Sequence, residues 1–291
     1  MTTVCTSMET FVKINNVALC AETFGEPADV PVLLIGNTML TWPDELCERL
    51  AALRRFVVRY DLRGTGRSEG SAVDYTLRDL VADAAGVLDA HGLGAAHVVG
   101  FGTGGWIAQL LALDHPERVA SLTLIATRPT APGPNDADLP EHAPEVTAHF
   151  MNRPAVDWTD RGSVVEFMLG NARRLAGAGF DEAEARARIE RIHDRADVVS
   201  RDPGEALRGD LMGTAFAVMD CKPRWRERLN SITAPTLVVH GEDDPFFPLG
   251  NGQALAAEIP GAELVVLPGT GNELPRRTWD VLVPALVRHT S

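Results

Sequence analysis

The run Gly100-Phe101-Gly102-Thr103-Gly104-Gly105 lies between a short apolar segment and a helical pattern. A strand–turn–helix junction of this kind is the setting of a nucleophile elbow, G-x-S-x-G. Its central residue is held at positive φ, and its small neighbours let strand and helix pass closely. Here the central residue is Gly102, which has no side chain with which to attack. Two further polar groups stand late in the chain, Asp244 in His240-Gly241-Glu242-Asp243-Asp244-Pro245 and Asn272 in Gly269-Thr270-Gly271-Asn272-Glu273-Leu274-Pro275. They are 28 residues apart. A carboxylate at a strand end acts as a general base, anchors a neighbouring side chain, or closes a local turn on backbone N–H groups. Asparagine donates and accepts hydrogen bonds but cannot serve as a base near pH 7. The chemistry left open is stabilisation of negative charge without a covalent bond. The helix that starts at Gly104 points its positive end at the junction and favours enolate, phenolate or carboxylate character there.

The elements that must position these groups are legible on both sides. Val30–Ile35, Phe56–Tyr60, Ala96–Gly100, Val119–Ile125, Pro235–His240 and Ala262–Leu267 are short apolar runs with turn residues at their ends, and they predict buried strands. Pro43–Leu53 has helical spacing, with Trp42, Leu46, Leu50 and Leu53 on one face. Leu77–His91, Gly104–His115, Gly252–Ile259 and Leu274–His289 predict further helices. Strands alternating with helices imply a parallel sheet with right-handed crossovers. The rhythm breaks at the Pro/Gly-rich stretch Pro129–Pro134 and returns at Pro235. The expected organisation is a sheet core over 1–129 and 229–291, interrupted by a helical insertion over 130–228. Within it, Asp181–Asp197 reads as a solvated helix with interleaved charges, and His193 as a surface residue. His142, His149, Trp158, Phe167 and Phe216 are candidate lid residues. A histidine in such a lid is more often incidental than catalytic.

Bulk properties narrow the function classes. The chain has 291 residues, 45% hydrophobic and 23% charged, as in a globular protein with room for a sizeable core. A net charge of −13 argues against nucleic acid and against an anionic membrane surface as partners. Cys5, Cys20, Cys47 and Cys221 show no C-x-x-C spacing and read as reduced thiols. Met1–Met8 has no basic or apolar leader character, and no apolar run is long enough to span a membrane, so the expected location is the cytoplasm. No metal and no cofactor are expected. The expected partner is a small aromatic molecule, and the sequence leaves a homodimer open.

Trp42-Pro43-Asp44-Glu45, Arg59-Tyr60-Asp61, Arg63–Ser68 (RGTGRS), His97-Val98-Val99-Gly100 and Ala112–His115 together resemble the aclacinomycin methylesterase family. These are polyketide-tailoring members of the α/β-hydrolase superfamily. The match covers nearly the whole sheet domain and is weak in the insertion. The resemblance implies an α/β-hydrolase fold with a mostly parallel eight-stranded sheet and a helical cap. It aligns Asp244 with the triad aspartate, Asn272 with the triad histidine, and Gly102 with the serine. It assigns the oxyanion donors to the backbone N–H groups of Thr103 and of Asn37 or Thr38. Gly36, Thr38, Gly102, Trp106 and Phe247 are then expected around the substrate, the two aromatics as platforms for a polycyclic ligand. Asp244 is expected to face the pocket as its one carboxylate, while Arg63–Ser68 reads as a structural loop.

Three functions follow. The first is a non-hydrolytic enzyme, a cyclase, lyase, dehydratase or decarboxylase acting on an aromatic polyketide-like substrate. The second is a catalytically silent binder or partner subunit. The third is a hydrolase with a displaced nucleophile, Thr103 or Cys221, or with its serine removed by design. The fold by itself does not choose among them.

Overall fold

The computed structural model describes residues 8–69, 75–131, 136–152, 154–197 and 220–291. The expectations that concern the chain start, Cys5 and Phe216 lie outside the described residues. Eight strands form one sheet: β1 (Met8–Ile14), β2 (Val17–Phe24), β3 (Val30–Ile35), β4 (Arg55–Tyr60), β5 (Ala96–Phe101), β6 (Val119–Ile125), β7 (Thr236–Gly241) and β8 (Glu263–Leu267). Their spatial order is β1-β2-β4-β3-β5-β6-β7-β8. The pairs β1/β2 and β2/β4 are antiparallel and all later pairs are parallel. The six apolar runs read from the sequence are β3 to β8. The hairpin β1–β2 is an addition; Asn15 and Asn16, both at positive φ, make its turn.

Alternation along the strands divides the core in two. Leu33, Ile35, Val98, Leu122 and Leu124 point to one face, covered by α2 (Leu77–Ala90) and α3 (Thr103–Asp114). Val32, Leu34, Val99 and Ile125 point to the other, covered by α1 (Asp44–Ala52) and the C-terminal helix Trp279–His289. Pro275 and a short 3-10 turn at Arg276–Thr278 delay that last helix by five residues from its expected start at Leu274.

Between β6 and β7 lie α4 (Pro144–Met151), α5 (Arg161–Leu175) and α6 (Glu182–Asp197). After β7 come α7 (Gly250–Glu258), then β8, then the C-terminal helix as α8. Helices α5 and α6 form an antiparallel pair with a small core of their own, built from Val164, Val165, Met168, Leu169, Ala185 and Ile189. This corrects the reading of α6 as a solvated helix. Ala185, Ile189 and His193 fall one turn apart on a buried stripe, and His193 is buried rather than at the surface. The charged residues on that stripe are turned inward too. Arg195 pairs with Asp61 at 2.6 Å and with Glu9 at 3.0 Å. No helix among the described residues is long and apolar enough to cross a membrane.

Candidate functional site

The junction of β5 and α3 is an elbow. Gly102 has φ 56° and ψ −114°, a conformation that glycine adopts without the strain of a side chain. A β-carbon there would meet nothing within 4 Å, so space opens in front of the turn. The neighbours are tighter. A β-carbon on Gly104 would lie 2.0 Å from the Ile35 carbonyl oxygen, so only glycine lets α3 pass the end of β3. Gly102 N–H donates to the Ile125 carbonyl at 3.0 Å, and Thr127 Oγ1 donates to the Gly102 carbonyl at 2.7 Å. The Thr103 amide opens α3, where an N–H has no partner inside the helix.

The loop after β3 supplies the opposite edge. Asp61, fully buried, accepts from Met39 N–H at 2.9 Å and from Arg67 N–H at 2.9 Å. Thr65 Oγ1 donates to the Asn37 carbonyl at 2.9 Å, and Thr38 Oγ1 accepts from Leu40 N–H at 3.1 Å. The Arg63–Ser68 loop is therefore structural, as expected, and what it holds in place is the Asn37–Met39 turn. Among the described residues the amide N–H groups of Asn37 and Thr103 have no acceptor, as oxyanion donors require.

The third edge is the pair Asp244–Asn272. Asn272 Nδ2 donates to Asp244 Oδ2 at 2.8 Å and reaches the Ala126 carbonyl at 3.4 Å. That carbonyl follows the Ile125 carbonyl that holds Gly102, which puts the amide beside the elbow. Asp244 Oδ1 accepts from Phe246 N–H and Phe247 N–H, each at 2.8 Å. Burial pushes the Asp244 carboxyl up to about 7, against the pull of these donors. The strand-end turn and the anchor for Asn272 are thus both present in one carboxylate.

One cavity of about 240 Å³ lies over these groups, closed by α5 and α6. Asn37, Thr38, Phe101 and Asn272 line its sheet side, and Met168, Asn171, Phe180, Arg188, Ile189 and Ile192 its cap side. Two expectations are corrected. Asp244 is 3% exposed and stands behind Asn272, while the carboxylates along the wall are Asp181, Glu184 and Glu273. Trp106 and Phe247 pack edge-to-face at 6.1 Å inside the core and do not line this cavity; their apolar surface is spent on the sheet. Gly36, buried under Thr41, is likewise absent from the wall, and so are the elbow residues Gly102 and Thr103, both expected at the ligand. Of the lid candidates, His142 stacks on Phe246, Trp158 packs against Phe167, and His149 Nε2 meets Asn171 Oδ1 at 2.6 Å. Neither histidine reaches the cavity.

Sheet order, elbow and acid turn define the class. Residues 32–161 match the family model described as the alpha/beta hydrolase fold. The chain belongs to the α/β-hydrolase-fold family. Within it, the chain is similar to the rhodomycin D methylesterase DauP of Streptomyces sp. (strain C5), 35% identical over 297 residues that span 95% of this chain and 96% of the relative. It is 34% identical to the rhodomycin D methylesterase DnrP of Streptomyces peucetius, again over 95% and 96% of the two chains. These bear out the aclacinomycin-methylesterase-like resemblance. Among solved structures, an esterase of Exiguobacterium antarcticum superposes with a TM-score of 0.74 at 21% identity, covering 97% of this chain and 99% of that one. That likeness shows the fold alone.

Proposed function

We propose that this chain is a non-hydrolytic enzyme of the α/β-hydrolase fold that binds an aromatic polyketide-like molecule and stabilises negative charge on one of its oxygens. The carrying observation is Gly102, an elbow residue at φ 56° with no side chain. Asn272 supports it, since the group that meets Asp244 is an amide, which cannot take a proton from a nucleophile. The Thr103 and Asn37 N–H groups are the oxyanion donors of this reading, and such a donor contributes about 3–4 kcal/mol to a transition state. Asn272 gives its amide hydrogens to Asp244 and the Ala126 carbonyl, so the group it offers a ligand is its Oδ1 acceptor. Cyclisation, elimination, dehydration and decarboxylation all pass through enolate- or phenolate-like charge that this arrangement suits. The substrate class comes from the methylesterase relatives.

Those relatives are hydrolases, which favours a second reading: hydrolysis by a displaced nucleophile. Neither candidate fits it well. Thr103 Oγ1 makes no hydrogen bond among the described residues, so nothing there takes its proton. Cys221 follows Asp220, whose carbonyl accepts from Leu77 N–H at the start of α2, and burial with the Asp220 charge pushes its thiol up to about 11. A silent binder shares the same cavity and differs only in lacking turnover. Incubation with a fluorophosphonate followed by intact mass separates hydrolase from non-hydrolase. The expected result is an unmodified chain, and a stoichiometric adduct would sink the proposal.

A further inference from the structure

Helix α6 carries two inward-facing arginines, two turns apart, and they are satisfied differently. Arg195 is held by Asp61 and Glu9. Arg188 lines the cavity, and among the described residues it forms no hydrogen bond and no ion pair. It keeps some surface open to the cavity yet sits deep in protein, and burial lowers the pKa of its guanidinium. Glu184 and Glu273 attract its charge only through space, and the wall acids make their hydrogen bonds to other groups, Asp181 accepting from Glu184 N–H at 3.0 Å. Glu184 accepts from the Arg276 backbone N–H at 3.1 Å. Glu273 accepts from Gly177 N–H at 3.1 Å and pairs with Arg277 at 3.0 Å. Glu45, beside a second hollow that Arg188 also borders, pairs with Arg49 at 3.2 Å and Arg276 at 2.5 Å.

An enclosed guanidinium without a partner is costly, so natural proteins pair such groups. Its planar fork of five N–H donors matches a carboxylate in two parallel hydrogen bonds. The wall around it is mostly apolar, with Leu40, Phe101, Met168, Ile189 and Ile192 facing the same space. A flat hydrophobic body with one carboxylate satisfies both features at once.

We propose that Arg188 binds a carboxylate of the ligand, so that this chain binds an aromatic carboxylic acid in preference to its neutral derivatives. The inference rests on the cavity being the ligand site of the function proposed above, but not on the absence of hydrolysis. The class of reaction that supplies such a ligand is ester hydrolysis, in which water cleaves the acyl–oxygen bond and releases an acid and an alcohol. The chain then stands after an esterase in a reaction sequence.

Calorimetric titration of the full chain with anthraquinone-2-carboxylate and with the neutral anthraquinone-2-carboxamide tests this. The amide cannot satisfy the guanidinium charge and is not readily hydrolysed. The acid is expected to bind ~10-fold or more tightly than the amide, the usual worth of a charge-assisted pair. Arg188→Met should bring the acid down to the amide's affinity and leave amide binding within about twofold. Arg188→Lys should keep part of the preference, because it keeps the charge and loses the fork. A structural arginine would weaken both probes alike. Equal binding of acid and amide by the parent, a preference that survives Arg188→Met, or no binding of either probe overturns the proposal. Methanol release from methyl anthraquinone-2-carboxylate would contradict the non-hydrolytic reading alone, leaving the acid-to-amide ratio to be read independently.

Discussion

The two walls of the cavity are built by opposite rules. On the sheet side nearly every polar group has a partner within the chain. Asp61 holds the Asn37 turn, Thr127 holds Gly102, and Asp244 holds Asn272. Among the described residues the unpaired groups on this side are backbone, the N–H of Asn37 on the wall and that of Thr103 at the elbow, off the wall. On the cap side, among the described residues, a charged side chain without a hydrogen-bond partner faces the cavity, Arg188, on a helix whose other inward arginine is fully engaged. In the proposed reading the sheet side answers charge that develops during a reaction. The cap wall offers a fixed charge for recognition. On the proposed reading, substitutions at the elbow and acid turn alter chemistry, and substitutions on α6 alter ligand choice.

The contrast between the arginines of α6 should appear first in stability. Arg195→Met leaves Asp61 buried without its counter-charge and should cost about 3–5 kcal/mol. For a chain of this size that lowers Tm by about 2–4 °C per kcal/mol. Arg188→Met removes an enclosed charge that has no hydrogen-bond partner and should leave the chain at least as stable as the parent. Equal losses in thermal melts would mean that both arginines are structural and would erase the distinction between them.

A smaller effect, dependent on pH, separates Asp244 from the ligand wall. Its carboxyl lies at about 7 in the folded chain against its usual 3.8, because burial favours the neutral form. The folded state therefore binds the proton more tightly than the unfolded chain. That stabilisation is fully present below about pH 4 and is lost as pH rises through about 7, a change of order 2–4 kcal/mol. Asp244→Asn keeps the acceptor for Phe246 and Phe247 N–H and allows Asn272 to turn its amide oxygen toward the new one. Urea melts should show the variant gaining on the parent between pH 4 and pH 8. A parent-to-variant difference that stays constant with pH would show that Asp244 does not titrate in this window.

Most of the fold is legible in the sequence because parallel strands buried on both faces read as apolar runs, and six of them stand out. The β1–β2 hairpin escapes that reading, although Asn15-Asn16 between two β-rich segments carries its turn signal. The elbow and the Asp244–Asn272 pair are legible because each depends on a short local pattern. The cap wall is not. Arg188 and Arg195 share a stripe with Ala185, Ile189 and Ile192, and the density of charge on α6 conceals that stripe. Its apolar period is present, but which charges face inward depends on Asp61, Glu9 and an unpartnered cavity, none of them local in sequence. Trp106 and Phe247 are expected near the ligand only through their proximity in sequence to the elbow and acid turn. Distance along the chain says nothing about which side of a helix or turn faces the core.

If Gly102 and Asn272 are what keep this site from hydrolysis, as proposed, replacing both should bring hydrolysis in. The double variant Gly102→Ser with Asn272→His restores a hydroxyl at an elbow with open space in front of it, and an imidazole on Asp244. The serine costs about 1–3 kcal/mol of strain at positive φ, so the variant should melt below the parent and still fold. The measurement is methanol release from an aromatic polyketide methyl ester by parent and double variant near neutral pH. The parent should match the rate without protein, and the double variant should exceed it. Methanol release by the parent at the rate of the variant or above would contradict the account.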